Sequence, residues 1–473
     1  MQYLAITAVP GQPQAQIHYT ETEPLKTVKQ SLLVAFALTF IFCGISISLA
    51  NQRRVSPELD VFDESAHLSY VLSLASGNIP HYGATLLPQA RRTIDCESWF
   101  PAVPCNQPPA KPSKYKYQDN GYSYEVVQPP LGYIPYLLTA STNNNVVTAL
   151  EQTRSGGFIW IYLSGLAVLL FAFLENLNLV TLAGILSLTL LNPIYTWAAG
   201  TVNNDSSGVF IAMICVLAII AGRRYRRIAI PLSVLIGIVV GLSKGVFVVV
   251  PFALFSAVII QNPPFGKKRT GLTQSLRLYL PAFLMLIFTF VGNSLWLEFQ
   301  NLRAHLNPSV IAVPQGARQG LPSLSAVFHS LKDFFFLYSS YLGKFPVNII
   351  LEFIMLGTML LIAYGRVLGK GSIQFFEPVE VIVDMNAGSL VLGLFCSVIA
   401  TSIFMSFYSW VESGVSLVVP SRYFIALLPL MAIALASSSK RWFTALICIS
   451  FPLVMALFQL TEVTSGTFWF THF

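Results

Sequence analysis

Asp63, Glu64 and His67 lie together in VFDESAHLSYVLSLASGNIP (61–80), about ten residues beyond the end of the first long apolar run. On a helix, a residue and the one four positions later share a face, so Asp63 and His67 point the same way. Ionisable residues at a membrane surface are candidates for function, because such positions are costly to fill with charge. One carboxylate here is suited to take a proton from an attacking hydroxyl. The structural alternative is helix capping, with Asp63 at the N-cap and Glu64 in the first turn. The two roles are compatible, since a capped helix end can also present a base.

Three later segments add polar groups between apolar runs. TVNNDSSG (201–208) carries Asn203, Asn204 and Asp205 in a very short turn. These are ordinary turn and N-cap residues, and equally a place to hold a ligand, a metal or a proton. GLSKGVF (241–247) places Lys244 between two apolar stretches, about twenty positions from the nearest basic residues on either side. Snorkelling to the surface is one reading, and binding a lipid phosphate is the other. VPSRYFIALLP (419–429) puts Arg422 and Tyr423 at the start of an apolar run. Arginine's planar fork fits a phosphate, while an Arg-Tyr pair also serves as an interfacial anchor.

The elements that must position these residues are membrane helices. The chain has 473 residues, 54% hydrophobic and 10% charged, with a mean hydropathy of +0.65. Such a composition identifies an all-α polytopic membrane protein, because only helices satisfy their own backbone groups in lipid and no barrel-like alternation is present. Eleven spans are expected near 31–50, 157–174, 178–197, 207–221, 228–242, 246–261, 277–297, 346–365, 389–410, 421–437 and 442–459. The pair within 228–261 reads either as a half-helix hairpin or as one long helix.

Basic loops set the orientation. Arg223, Arg224, Arg226 and Arg227, then Lys267, Lys268 and Arg269, then Arg366 and Lys370, then Lys440 and Arg441 all fall on one side, together with Lys26 and Lys29. That side is expected to be the cytoplasm. Residues 1–30 read as a cytoplasmic tail and 31–473 as one transmembrane domain in a bacterial plasma membrane. The net charge of +7 fits loops facing anionic lipid, and no nucleic-acid-binding motif is present.

Two outer loops are long. The first, 51–156, holds the acidic motif, KYKYQDNGYSYE (114–125) and QPPLGYIPYLLTA (128–140). Two juxtamembrane helices are expected in it. One covers 65–76 and stops at Gly77. The other follows Pro129 and Pro130, and its 13 residues are too few to cross a bilayer upright. Cys96 and Cys105 in this loop are either a disulfide or two thiols. The second loop, 298–345, carries Arg303, His305, Arg318, His329, Lys332, Asp333 and an aromatic run (334–341), which reads as an interfacial belt or as a sugar-stacking surface. There is no P-loop, GxSxG, HExxH or GxGxxG, so nucleotide-using and hydrolase chemistries have no motif here.

Taken in order, Asp63-Glu64-x-x-His67, Gln128-Pro129-Pro130-Leu131, Asn204-Asp205, Lys244 and Arg422-Tyr423 ahead of Pro429 resemble the GT-C superfamily of membrane glycosyltransferases. Nearest in pattern is a bacterial group of predicted membrane proteins with the order DE-x-x-H, HPPL, ND, K, RY. Gln128 departs from that pattern, which has histidine there. The resemblance implies transfer of a sugar from a polyprenyl-phosphate carrier to an acceptor hydroxyl of a glycan, lipid or protein at the outer membrane face. It implies Asp63, with Glu64 beside it, as the catalytic carboxylate. His67, Gln128, Asn204, Asp205, Lys244, Arg422 and Tyr423 would be substrate-binding residues, with Lys244 and Arg422 on the carrier phosphate. A divalent metal is used by some members of the superfamily and not by others. The competing expectations are a lipid-linked glycan transporter or flippase, a non-catalytic polysaccharide-assembly subunit, and an O-antigen-type ligase built on Arg303, Arg318 and His329.

Overall fold

The computed structural model describes residues 23–55, 64–97, 123–141, 146–262, 272–304, 323–335, 346–367, 380–382, 385–413, 419–437 and 449–450. Asp63, the Cys96–Cys105 pairing, His305, Arg318 and most of the aromatic run 334–341 therefore fall outside what it describes. So does all but residues 449–450 of the expected span 442–459.

Within those residues the chain is helical. In order, the helices are α1 (Glu23–Val55), α2 (Glu64–Ala75), α3 (Pro88–Glu97), α4 (Ile134–Thr139), α5 (Val146–Arg154), α6 (Gly156–Leu174), α7 (Leu179–Leu190) and α8 (Pro193–Gly200). They continue with α9 (Gly208–Arg224), α10 (Arg226–Ser243), α11 (Val249–Gln261), α12 (Leu272–Leu302), α13 (Leu324–Phe335), α14 (Pro346–Val367), α15 (Ala387–Ser413) and α16 (Leu428–Ser437). One short antiparallel pair joins β1 (Glu380–Ile382) to β2 (Met385–Asn386). α1 starts eight residues inside the expected tail, because Pro24 is tolerated in a first helical turn and lets the helix run on past the apolar stretch.

Five described helices are long and apolar enough to cross a membrane: Thr27–Gln52, Thr148–Leu174, Asn204–Gly222, Tyr279–Leu302 and Ala387–Val411. The pair α7 and α8, bent by 52°, brings the number to six. The bend follows from Asn192-Pro193. Proline cannot continue α7, and the Asn192 side chain instead accepts from Ile194 and Tyr195 N–H to cap α8. Four further expected spans are shorter apolar helices, Arg227–Ser243, Gly245–Gln261, Glu352–Tyr364 and Arg422–Ala436.

The segment 228–261 is two helices. Lys244 has an extended backbone (φ −165°, ψ 130°) that ends α10, and a 3-10 turn, Gly245–Val248, precedes α11. Gly237, Gly241 and Gly245 face Met285, Thr289 and Asn293 in the same chain direction, so α10 and α12 run parallel. α11 runs back against α12 and α15. Its end is tied to the first half of α12 by a hydrogen bond from the Tyr279 hydroxyl to the Asn262 carbonyl. The glycine stripe at every fourth residue is what lets two helix backbones touch in lipid, where close packing replaces the hydrophobic effect as the driving force. α10, with 18 residues at ~1.5 Å each, is about as long as the hydrocarbon core is thick. Lys244 thus stands one membrane thickness away from the Arg226 end of the same helix.

The described residues of the first long loop form a packed cap. Leu68, Tyr70, Val71 and Leu72 of α2, Tyr133, Tyr136 of α4, Leu150 of α5 and Trp296 of α12 form a buried cluster of their own. α2 stops at Gly77, whose φ of +80° suits glycine alone. The second expected juxtamembrane helix is a 3-10 turn, Pro130–Tyr133, running into α4. Tyr133 and Tyr136 are buried beneath it while Ile134 and Leu138 are exposed, the two-faced pattern of a helix lying at an interface.

A Cβ at position 241 would collide with the Thr289 carbonyl and lie 2.8 Å from Asn293 N, whereas nothing lies within 4 Å of one at Gly357. Gly241→Val is expected to destabilise the folded protein by about 1–3 kcal/mol or more, seen as a lowered thermal midpoint in detergent. Gly357→Ala should leave that midpoint unchanged or raise it.

Candidate functional site

Three segments far apart in sequence meet around Asp205. Its carboxylate is completely buried. Lys244 Nζ lies 2.5 Å from Oδ1 and also donates to Asn204 Oδ1 at 2.8 Å. Arg422 Nε lies 3.6 Å from Oδ2, close enough for an ion pair and too long for a hydrogen bond. Tyr423 completes the group: Lys244 Nζ sits 4.5 Å from its ring centre and Arg422 Cζ 5.6 Å. An ammonium has three N–H donors. Two of those on Lys244 are spent on Asn204 and Asp205, and the third remains for a ligand or for the Tyr423 ring.

Local structure explains why these side chains converge. Asn203 caps the 3-10 turn Asn204–Ser207 by accepting from Asp205 N–H at 2.8 Å. The Tyr136 hydroxyl lies 3.0 Å from the Thr201 and Asn203 carbonyls and 2.9 Å from Ser206 Oγ, which fixes the turn to the cap. Lys244 is placed by the break between α10 and α11. Arg422 and Tyr423 are placed by another 3-10 turn, Ser421–Leu427, that starts at Pro420. Gly208 lets this turn approach α9, because Ala426 N is only 3.2 Å from where a Cβ would be.

Glu64, expected as a catalytic carboxylate beside Asp63, has both oxygens engaged. Arg154 Nε and Nη2 donate to them at 2.8 and 2.7 Å, and Val202 N–H donates to Oε1 at 2.8 Å. Glu64 and Arg154 are both buried, and the pair is bidentate, the strongest geometry available to such ions. The fork ties the first residue of α2 to a point three residues before Asp205, a chain distance of at most ~10 Å. Asp63 directly precedes this anchored residue in the sequence.

His67 belongs to a second buried group. Its Nδ1 lies 2.6 Å from the Tyr133 hydroxyl and 3.2 Å from Glu125 Oε2, and that hydroxyl donates to Glu125 Oε2 at 2.8 Å. With the hydroxyl proton on Glu125, Nδ1 must carry a proton of its own to bond the tyrosine oxygen. Burial holds Tyr133 well above the ordinary tyrosine pKa, reinforced by the Glu125 charge and more weakly by Asp205. Burial and Glu125 likewise raise Tyr70, and burial raises Tyr136, so all three phenols stay protonated donors. Gln128 takes part through its backbone, accepting from the Tyr70 hydroxyl at 2.8 Å. The two groups are contiguous: a Cβ on Gly132, next to Tyr133, would lie 3.1 Å from Asn204 Cβ and 3.0 Å from the Ser243 carbonyl.

Of the expected residues, Asn204, Asp205, Lys244, Arg422 and Tyr423 are thus brought together. Glu64, His67 and Gln128 sit in the adjoining cap. Arg154, Glu125, Tyr133 and Tyr70 were not anticipated. The available signal for Arg154 was a lone arginine three residues ahead of an apolar span, and for Tyr133 its place directly after PPLG. Among the described residues no three His, Cys, Asp or Glu side chains cluster as a metal site would require. Asn204 and Asp205 offer oxygens, but the groups that meet them are cations: Lys244 donates to both, and Arg422 forms an ion pair with Asp205. His329, offered for a ligase-type centre, is exposed on α13 and bonds within its own helix to Ser325. Arg303 is at the end of α12.

The chain belongs to the family described as predicted membrane protein (DUF2142), which matches residues 47–431. This range contains every candidate residue above. No curated protein and no solved structure matches the chain significantly.

Breaking one side of a buried ion pair strands the other charge, at a cost of about 3–5 kcal/mol. Glu64→Gln and Arg154→Met are each expected to lower stability by that order. The double variant should cost clearly less than the sum, as measured by thermal unfolding in detergent. Strict additivity would show that the fork does not hold α2 in place.

Proposed function

We propose that this chain is a membrane glycosyltransferase of the GT-C type. It moves a sugar from a polyprenyl-phosphate carrier to an acceptor hydroxyl at the extracytoplasmic face of a bacterial plasma membrane. The observation that carries the reading is the meeting of Asn204–Asp205, Lys244 and Arg422–Tyr423 at one end of the bundle. That end lies opposite the Arg223–Arg227 cluster, which the charge rule assigns to the cytoplasm. The proposal keeps eleven spans, with the four short apolar helices crossing where the bilayer thins locally and 442–459 as the last.

A lipid-linked phosphate cannot leave the bilayer, so its receptor must stand at the membrane boundary, one helix length from the cytoplasmic arginines. The acceptor O–H attacks the anomeric carbon, the C–O bond to the carrier breaks, and its electron pair leaves with the phosphate. Lys244 and Arg422 balance the charge that develops there, and Asp205 holds both cations in place before the substrate arrives. Such preorganised charge needs no rearrangement in the transition state. Asp63 takes the acceptor proton. Glu64 positions it by fastening α2 to Arg154 and Val202, and makes no contact with the reacting atoms. The protonated phenols of Tyr70 and Tyr133, with His67 and Glu125, form the wall behind the acceptor.

A flippase would need charged groups along a path through the bundle, whereas Glu64, Arg154, Asp205, Lys244 and Arg422 gather at one end. Asp63→Asn tests the chemistry directly. Transfer of labelled sugar from a polyprenyl-phosphate donor by membranes carrying the variant should fall by about 10²-fold or more, as expected for loss of a general base. Expression and thermal midpoint should stay as in the parent chain. Full activity in the variant would remove Asp63 from the reaction.

A further inference from the structure

The cap and the end of α12 enclose a cleft of about 520 Å³ that adjoins the proposed acceptor wall at Tyr70. Its walls include Tyr70, Ser73, Ser123, Phe299 and Arg303. The size falls within the ~300–1,000 Å³ usual for small-molecule sites. It lies beside the candidate site, because the rings of Tyr70 and Tyr133 are 4.8 Å apart. α12 runs nine residues past Asn293, the residue level with Gly245, which at ~1.5 Å per residue lifts Arg303 some 13 Å beyond Lys244. The cleft therefore opens outside the hydrocarbon layer.

Its polar groups define a ligand. Arg303 spreads its guanidinium over Phe299, 4.9 Å from the ring centre, and donates from Nη2 to the Ile79 carbonyl at 2.9 Å. Its Nη1 is buried and has no hydrogen-bond partner among the described residues. Ser123 is 2% exposed, and its Oγ also lacks a partner. Buried polar atoms are rarely left this way, so two on one cleft mark a place where a ligand completes the bonding. Tyr70 also lines the cleft, its hydroxyl donating to the Gln128 carbonyl. A flat cation, an uncommitted hydroxyl and two aromatic side chains match a pyranose that carries a carboxylate. The ring's C–H face lies on the aromatics, the carboxylate meets Arg303, and a ring hydroxyl meets Ser123.

We propose that this cleft binds a uronic-acid-type residue of a saccharide, which makes the acceptor an acidic glycan. Calling the ligand an acceptor rests on the glycosyltransferase reading; the binding itself does not. Ligand-observed NMR on the full chain in nanodiscs, without donor lipid, tests it with methyl glucuronide, methyl glucoside and acetate. The glucuronide should bind about tenfold more tightly than the glucoside, the gain of one charge-assisted contact. Arg303→Gln should abolish that preference, and Arg303→Lys, which keeps charge but loses the flat fork, should reduce it. Ser123→Ala should weaken both sugars several-fold. Equal binding of the two sugars to the parent chain would overturn the proposal. So would acetate binding as tightly as the glucuronide, or a preference that survives in a folded Arg303→Gln variant. Because the assay contains no donor, its failure leaves the transfer reaction standing, and a failure of transfer leaves the cleft standing.

Discussion

Asp205 is a carboxylate without solvent, and the structure around it follows from that. A buried anion is tolerable only where cations and hydrogen bonds meet it, and stranding one costs about 3–5 kcal/mol. Lys244 and Arg422 are the cations, from helix segments 39 and 217 positions away in sequence. To deliver them, α10 must stop at Lys244 and the chain must turn back, and a 3-10 turn must carry Arg422 inward from Pro420. The glycines at 237, 241 and 245 bring α12 close enough to support the break. A cluster of this kind is weak evidence for stability, since apolar residues of similar volume would pack as well. In the proposed function it holds positive charge in a fixed place for a ligand.

The cap works on the same principle one layer further out. The fork of Glu64 and Arg154 anchors α2, Tyr136 anchors the turn bearing Asp205, and Gly132 closes the gap between them. A loop of more than a hundred residues is thereby fastened at the points that adjoin the charged turn. His67, Tyr133 and Glu125 are hydrogen-bonded to one another in the interior of this cap, and buried polar groups so satisfied make a stiff wall.

Much of this was legible in the sequence. Long apolar runs dictate helices in lipid, and the described helices fall on ten of the expected spans, although only five or six have the length to cross unaided. Asn204, Asp205, Lys244 and Arg422 stood out because charge between apolar runs is conspicuous. Gly77 and Pro129-Pro130 marked where α2 ends and where the second cap helix begins. Other features were hidden for physical reasons. Arg154 and Glu125 sit in polar surroundings in sequence, where a charge draws no notice, and only folding buries them. The role of Glu64 could not be separated from that of Asp63, because neighbouring carboxylates look alike until their partners are known. The parallel packing of α10 on α12 depends on glycines whose spacing is visible but whose partner is not.

The most direct measurement is binding of polyprenyl phosphate and of the corresponding polyprenol to the protein in lipid nanodiscs, by native mass spectrometry, for the parent chain and for Lys244→Met and Arg422→Gln. If Asp205 holds two cations for a lipid phosphate, the parent chain should prefer the phosphate by about tenfold or more, as charge-assisted contacts imply. Each variant should lose most of that preference while still binding the lipid tail. Equal affinity of the parent chain for phosphate and alcohol, or an undiminished preference in both variants, would contradict the account.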